Sequence, residues 1–192
     1  MNKEQIYNKV SEMLPQKRFI HSLNVAKCAV ELSKIYGLNE DSAYIAGITH
    51  DCAKYLTEEE VSYYVNKYKI ELDEFEINNI ALSHSLIGSY IALNDLEIKD
   101  EDIISSIKYH TTGKENMTML EKIIYMADLI EENRSFPGVD LLRKKTFEGE
   151  LDEALLTSFN NTIKFVIDNN QLIHPRTIKA RNYLMKQKID RT

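Results

Sequence analysis

Tryptophan is absent from the 192 residues, and cysteine (2), proline (3) and glycine (6) are scarce. With few chain breakers there are few obligatory turns, so long helices are the expected solution. Cys28 and Cys52 stand alone, without a CxxC partner. That excludes a thiolate zinc knot and leaves buried free thiols in a reducing compartment as the expectation. No apolar run approaches the roughly 20 residues that a membrane-spanning helix needs. Met1–Ser11 alternates polar with single apolar residues and does not resemble a leader peptide. Positive charge is also short: 24 Lys and Arg stand against 30 Asp and Glu, a net charge of −6, with no long basic run. Extended contact with a nucleic-acid backbone is therefore not expected, although a local basic pocket for a small phosphorylated ligand stays open. The expected location is cytoplasmic, and nothing in the sequence decides between a monomer and a homodimer.

What is present is apolar residues at helical spacing. The hydrophobic fraction of 43% and the charged fraction of 28% are those of an ordinary globular chain. About eight or nine helices in one all-α domain are predicted. Gly37 suits a helix C-cap, and Asn39 can cap a helix reaching about Lys54. Thr57–Glu60 and Thr118–Glu121 are capping boxes. Helices are also expected near 83–94 and 100–110, and after Pro175. Leu151, Leu155, Phe159, Ile163 and Val166 form an apolar stripe. The tyrosines Tyr63, Tyr64 and Tyr68 read better as packing residues than as a base-stacking platform.

Only five histidines occur. His21 shares a helical stripe with Val25, Cys28 and Leu32, so its side chain is predicted to point inward. His50 follows the small residues Ala43, Ala46 and Gly47, which would let a second helix approach closely, and Asp51 is its neighbour. Asp128 falls on the apolar face of Leu120, Ile123, Ile124 and Ala127. A buried carboxylate must be paired, protonated or bound to a cation. Each residue alone has an ordinary explanation, such as Asp128 pairing with Arg134. Four inward polar groups on three helices share one explanation, a metal ion. Imidazole and carboxylate suit iron, manganese, cobalt or zinc. His84 and His110, expected at helix ends, fit a second ion.

The order H…HD…D on helices resembles the HD-domain superfamily of metal-dependent phosphohydrolases. The flanking segments narrow the likeness: Arg18–Ala26, Ile48–Lys54, His110–Gly113, Lys122–Asp128, Ile130–Arg134 and Ile173–Thr177 are similar to the bacterial YqeK family. The resemblance implies a single HD domain spanning 1–192, with a core at about 16–135. Helices at about 138–188 would complete the nucleotide pocket. It implies a symmetrical bis(5′-nucleosyl)-tetraphosphatase that splits diadenosine tetraphosphate into two ADP by attack of a hydroxide generated at the metal. A two-iron centre is implied, with Asp51 as bridge and His84 and His110 as additional ligands. No Gly-Tyr-Pro follows His110, which disfavours the cyclic-dinucleotide phosphodiesterase subgroup.

Asp51, His84 and His110 are the catalytic candidates. His21, Lys54, His84, His110, Thr111, Thr112, Lys114, Asp128 and Arg134 are the expected nucleotide and phosphate contacts, joined by His174, Pro175, Arg176, Thr177 and Lys179 of the tail. Lys54 could instead pair with Asp51. Hydrolysis of another nucleotide would use the same metal set. A silent nucleotide sensor or a structural adaptor gives less reason for buried aspartates.

Overall fold

The computed structural model describes residues 1–77 and 79–190. Among these the chain forms ten helices: α1 (Lys3–Met13), α2 (Gln16–Tyr36), α3 (Glu40–Thr49), α4 (Glu58–Tyr68), α5 (Ile80–Asn94), α6 (Glu101–Tyr109), α7 (Met119–Ile130), α8 (Val139–Phe147), α9 (Leu151–Asp168) and α10 (Pro175–Ile189). No strand occurs among the described residues. The fold is all-α. None of these helices is long and apolar enough to cross a membrane.

The caps follow local chemistry. Thr57 and Thr118 each close a capping box with the Glu three residues on, and Asn39 accepts from the Ser42 amide. Gly37 ends α2 in the left-handed conformation, at φ 71°. Two expectations need correction. The helix begun at Asn39 ends at Thr49, not near Lys54, and His50 is its C-cap. The following turn then aims His50 and Asp51 inward together. His84 does not open its helix: α5 starts at Ile80, so His84 lies in the second turn and is buried. The extra turn forms because Ile80 and Ala81 continue the helical ladder ahead of Ser83, leaving Asn79 as the N-cap.

α2 lies at the centre, packed most extensively on α3 and then on α7. The small residues of α3 explain this. A β-carbon at Gly47 would stand 2.6 Å from the Ala26 α-carbon, and Ala43 and Ala46 are fully buried. Side-chain-free contact brings the two backbones together just before His50. The main core runs from Ile6 and Val10 of α1 through Leu32, Ile107, Ile124 and Phe159 to Leu184 of α10. A second core, around Cys52, Ile87 and Ile91, takes Tyr64, Tyr68 and Tyr90 against it. These three rings stack in a row, so Tyr64 and Tyr68 pack as expected, whereas Tyr63 lies exposed on the edge of Tyr64. On α9 the apolar stripe is buried at Leu151, Leu155 and Phe159 and half-buried at Ile163 and Val166. Both cysteines are buried and free, and burial pushes each thiol up to about 12.

Candidate metal centre

Six of the predicted residues converge. His21 comes from α2, His50 and Asp51 from the end of α3, His84 from α5, His110 from the end of α6 and Asp128 from α7. The imidazoles stand in a row, with ring centres of His21 and His50 5.4 Å apart, His50 and His110 4.9 Å, and His110 and His84 5.0 Å. Asp51 lies across the row, fully buried. Its Oδ2 faces His50 Nε2 at 3.1 Å and His21 Nε2 at 3.8 Å. Its Oδ1 faces His84 Nε2 at 3.0 Å and His110 Nε2 at 3.5 Å. Asp128 Oδ1 completes the first side, 3.0 Å from His21 Nε2 and 3.8 Å from His50 Nε2.

Tautomers decide what this arrangement can hold. Nδ1 of His50, His84 and His110 lies 2.7, 2.7 and 2.8 Å from the carbonyls of Gly47, Ile80 and Ile107. A carbonyl only accepts, so each Nδ1 carries the proton. His21 Nδ1 likewise donates to Glu131 Oε1 at 3.2 Å. Each ring, when neutral, therefore turns a lone pair inward at Nε2. With no cation between them, burial lowers His50 but Asp51 and Asp128 outweigh it, so that His50 is held above the usual imidazole range. His84 stays neutral because burial, with His110 and Lys54 adding to it, carries it down to about 4 against the pull of Asp51. Its Nε2 nonetheless sits 3.1 Å from His110 Nε2 and 3.0 Å from a carboxylate oxygen. Electron-rich atoms face one another with no proton to share.

The same conclusion follows from the unpartnered atoms. Among the described residues, the buried side-chain atoms without a hydrogen-bond partner are Arg18 Nε, His21 Nε2, His50 Nε2, both Asp51 oxygens and the Ser22 hydroxyl. His21 Nε2, His50 Nε2 and the Asp51 oxygens belong to this cluster, although Asp51 Oδ2 also meets the Arg18 guanidinium as an ion pair; Arg18 Nε is a donor and not a ligand. Buried polar atoms left this way are costly unless a cation joins them. Nitrogen and oxygen donors without cysteine suit a transition-metal ion. Burial raises the carboxyls of Asp51 and Asp128, yet both are held well below the usual range. For Asp51 the His50 charge and the surrounding imidazoles prevail; for Asp128, His21, His50 and Arg134 do.

Two residues escaped the sequence reading. Arg18 lays its guanidinium against Asp51 Oδ2. Glu131 is buried and accepts from His21, from Asn24 Nδ2 at 3.3 Å and from the Asn133 amide at 2.7 Å. A signal did exist: Asn24 follows His21 by three residues and Glu131 follows Asp128 by three, on helices that face each other. Arg143 of α8 fixes this corner by donating to the carbonyls of Ile130, Glu131 and Arg134.

The remaining candidates divide. Arg134 bonds Asp128 Oδ1 at 2.5 Å, so the ordinary pairing is present too. Lys54 Nζ lies 3.4 Å from both ring nitrogens of His84, and burial lowers it against the pull of Asp51. A cavity of about 560 Å³ opens beside His21, lined by Gln16, Lys17, Arg18, Tyr55, Asn133 and Arg134 among others. Thr111 bonds Ser85, while Thr112 is buried on its own neighbour's carbonyl. Lys114 is paired with buried Glu121 at 3.2 Å rather than turned toward the histidines. Of the tail, His174, Pro175, Arg176 and Lys179 line a separate cavity of about 480 Å³ with Asp73 and Phe75. Thr177 is buried. Arg176 connects this cavity to the centre's neighbourhood, its guanidinium 5.5 Å from the ring of Tyr109, next to His110.

A helical domain with this histidine–aspartate cluster at its heart is an HD domain: the family model matches residues 18–133, and the chain belongs to that family. The relatives are more particular. The chain is 39% identical to the symmetrical bis(5′-nucleosyl)-tetraphosphatase of Bacillus subtilis, over 96% of this chain and 98% of that one. It is 36% identical to the protein of the same name from Halalkalibacterium halodurans, again over 96% and 98%. A crystal structure of an HD superfamily hydrolase from Clostridium acetobutylicum, described as involved in NAD metabolism, superposes with a TM-score of 0.92 at 45% identity. It covers 97% of this chain and 98% of its own.

Proposed function

We propose that this protein hydrolyses dinucleoside tetraphosphates symmetrically, converting diadenosine tetraphosphate and water into two ADP. The observation that carries the reading is the inward set of imidazole nitrogens and aspartate oxygens, gathered within ligating distance of one another beside a cationic cavity. Relatives of nearly the same length bear the matching activity in their names.

His21, His50, Asp51 and Asp128 would hold one ion, and Asp51, His84 and His110 a second. Iron is the proposed metal, with manganese, cobalt or zinc fitting the same donors. When bound, such an ion polarises a phosphoryl oxygen and brings the pKa of a bound water to about 7. The chain's own residues do the rest. Lys17, Arg18 and Arg134 place positive charge along the cavity wall, where guanidinium groups can fork onto phosphate. Lys54 stands at the far end of the histidine row and meets the charge that builds on the departing phosphate. ADP leaves readily, so strong proton donation to it is unnecessary.

The tail cavity would take a nucleotide end, with His174, Pro175, Arg176 and Lys179 at the start of α10, and α8–α10 completing the pocket begun by the core. Thr111, Thr112, Lys114 and Thr177 would add contacts to the nucleotide from the neighbouring turn and from α10. Incubating the iron-loaded protein with diadenosine tetraphosphate and separating the products tests the proposal. ADP as sole product is expected; AMP plus ATP, or no turnover, contradicts it.

A further inference from the structure

The two halves of the histidine row are unequal. On the His21 side four donors face inward: two imidazoles, Asp51 Oδ2 and Asp128 Oδ1. On the other side there are three: Asp51 Oδ1, His84 and His110. The backing of the imidazoles differs as well. His50, His84 and His110 lean on backbone carbonyls, whereas His21 alone leans on a carboxylate. A carboxylate behind a ligating imidazole raises its basicity and fixes its direction. Glu131 is built for this task, because Asn24 and the Asn133 amide hold Oε2 and leave Oε1 to His21.

The charges differ too. On the first side Arg134 pairs with Asp128 and Glu131, and Arg18 pairs with the shared Asp51. Both arginines are partly exposed and line the open cavity, so they can yield to an incoming ion. On the other side Lys54 is in contact with His84, and among the described residues Asp51 is the one carboxylate paired with His84 there. A cation accepted by His84 has this ammonium as its immediate neighbour. Phosphate oxygens would relieve that repulsion by drawing Lys54 to themselves.

We propose that the metal centre is graded. Glu131 makes the His21–His50–Asp51–Asp128 position tight, and Lys54 keeps the Asp51–His84–His110 position weak until a phosphate compensates it. The substrate class in this statement rests on the phosphohydrolase reading; the grading itself does not.

Titrating the metal-free chain with manganese tests it, with ion counting after gel filtration and electron paramagnetic resonance for a coupled pair. One ion should bind tightly and a second at least about tenfold more weakly, with the coupled signal rising on addition of inorganic phosphate. Lys54→Met should bring in the second ion without phosphate. Glu131→Gln, which keeps an acceptor but no charge, should weaken the first ion roughly ten- to a hundredfold at unchanged melting temperature and circular dichroism. A melting shift without an affinity change would make Glu131 merely structural and overturn its part. Two equally tight ions in the unaltered protein, or a second ion indifferent to phosphate and to Lys54, overturn the grading. Graded binding without turnover of diadenosine tetraphosphate would remove the substrate and leave the grading intact.

Discussion

Among the described residues, histidines and carboxylates gather in two places, and these behave oppositely. Asp73, Glu76 and His174 lie close enough to share an ion, just as Asp51, His84 and His110 do. At the first cluster His174 Nδ1 accepts the Arg176 amide at 3.1 Å, so Nε2 carries the proton and donates to Asp73 at 3.0 Å. Arg176 adds ion pairs to Asp73 and Glu76. Both carboxylates thus have partners from within the cluster. At the second cluster the protons sit on Nδ1 and point away, and the inward atoms have only lone pairs. Proximity of ligand-type residues is therefore not enough. The tautomer, set by what stands behind each ring, separates a self-paired latch from a cation site.

The contrast can be broken at several points. The largest effect is expected at the bridge: Asp51→Ala should lose bound metal and reduce turnover by at least about a thousandfold, since several kcal/mol of charge stabilisation disappear. Metal analysis and circular dichroism on the same sample would check that the fold survives. Next comes Gly47→Ala, which forces α2 and α3 apart at a contact of 2.6 Å. Overpacking of this kind costs about 1–3 kcal/mol, visible as a melting temperature lower by several degrees.

Smaller effects belong to the latch. Arg176→Ala should raise KM roughly tenfold, the size of one charge-assisted contact of about 1.5 kcal/mol, with kcat and metal content unchanged. A fall in metal content would show that the two clusters are not independent. Smallest is the acid limb of stability. Burial raises the Asp73 carboxyl, but the Phe75 and Glu76 amides and His174 outweigh it, and the net direction is down. A carboxyl depressed in the folded state stabilises above its unfolded pKa and loses that contribution as pH falls through the folded value. Asp73→Asn should flatten melting temperature against pH in that acid range only; an unchanged acid limb would contradict the pairing.

Much of this was legible in the sequence. The caps at Gly37, Asn39, Thr57 and Thr118 are local chemistry, and the Ala43–Ala46–Gly47 face announced the close helix contact before His50. The inward direction of His21, His50 and Asp128 followed from periodicity. What escaped depended on the approach of distant segments. Arg18 reaches Asp51 across α2 and α3, and Glu131 reaches His21 across 110 positions of sequence, so the i+3 spacings of Asn24 and Glu131 could place these side chains beside the ligands but could not name the contacts. Lys114, expected near phosphate from its place after His110, forms an ion pair with buried Glu121 that no local pattern announced. The start of α5 was placed late, near Ser83, because Ile80 and Ala81 form its first turn on the exposed side, where no buried stripe marks them.

The most direct test of the central claim is an anomalous difference map from crystals of the metal-loaded protein, recorded at the metal's absorption edge. A peak enclosed by His21, His50, Asp51 and Asp128 is the predicted result. No peak there, or a peak between Asp73, Glu76 and His174 instead, would contradict it.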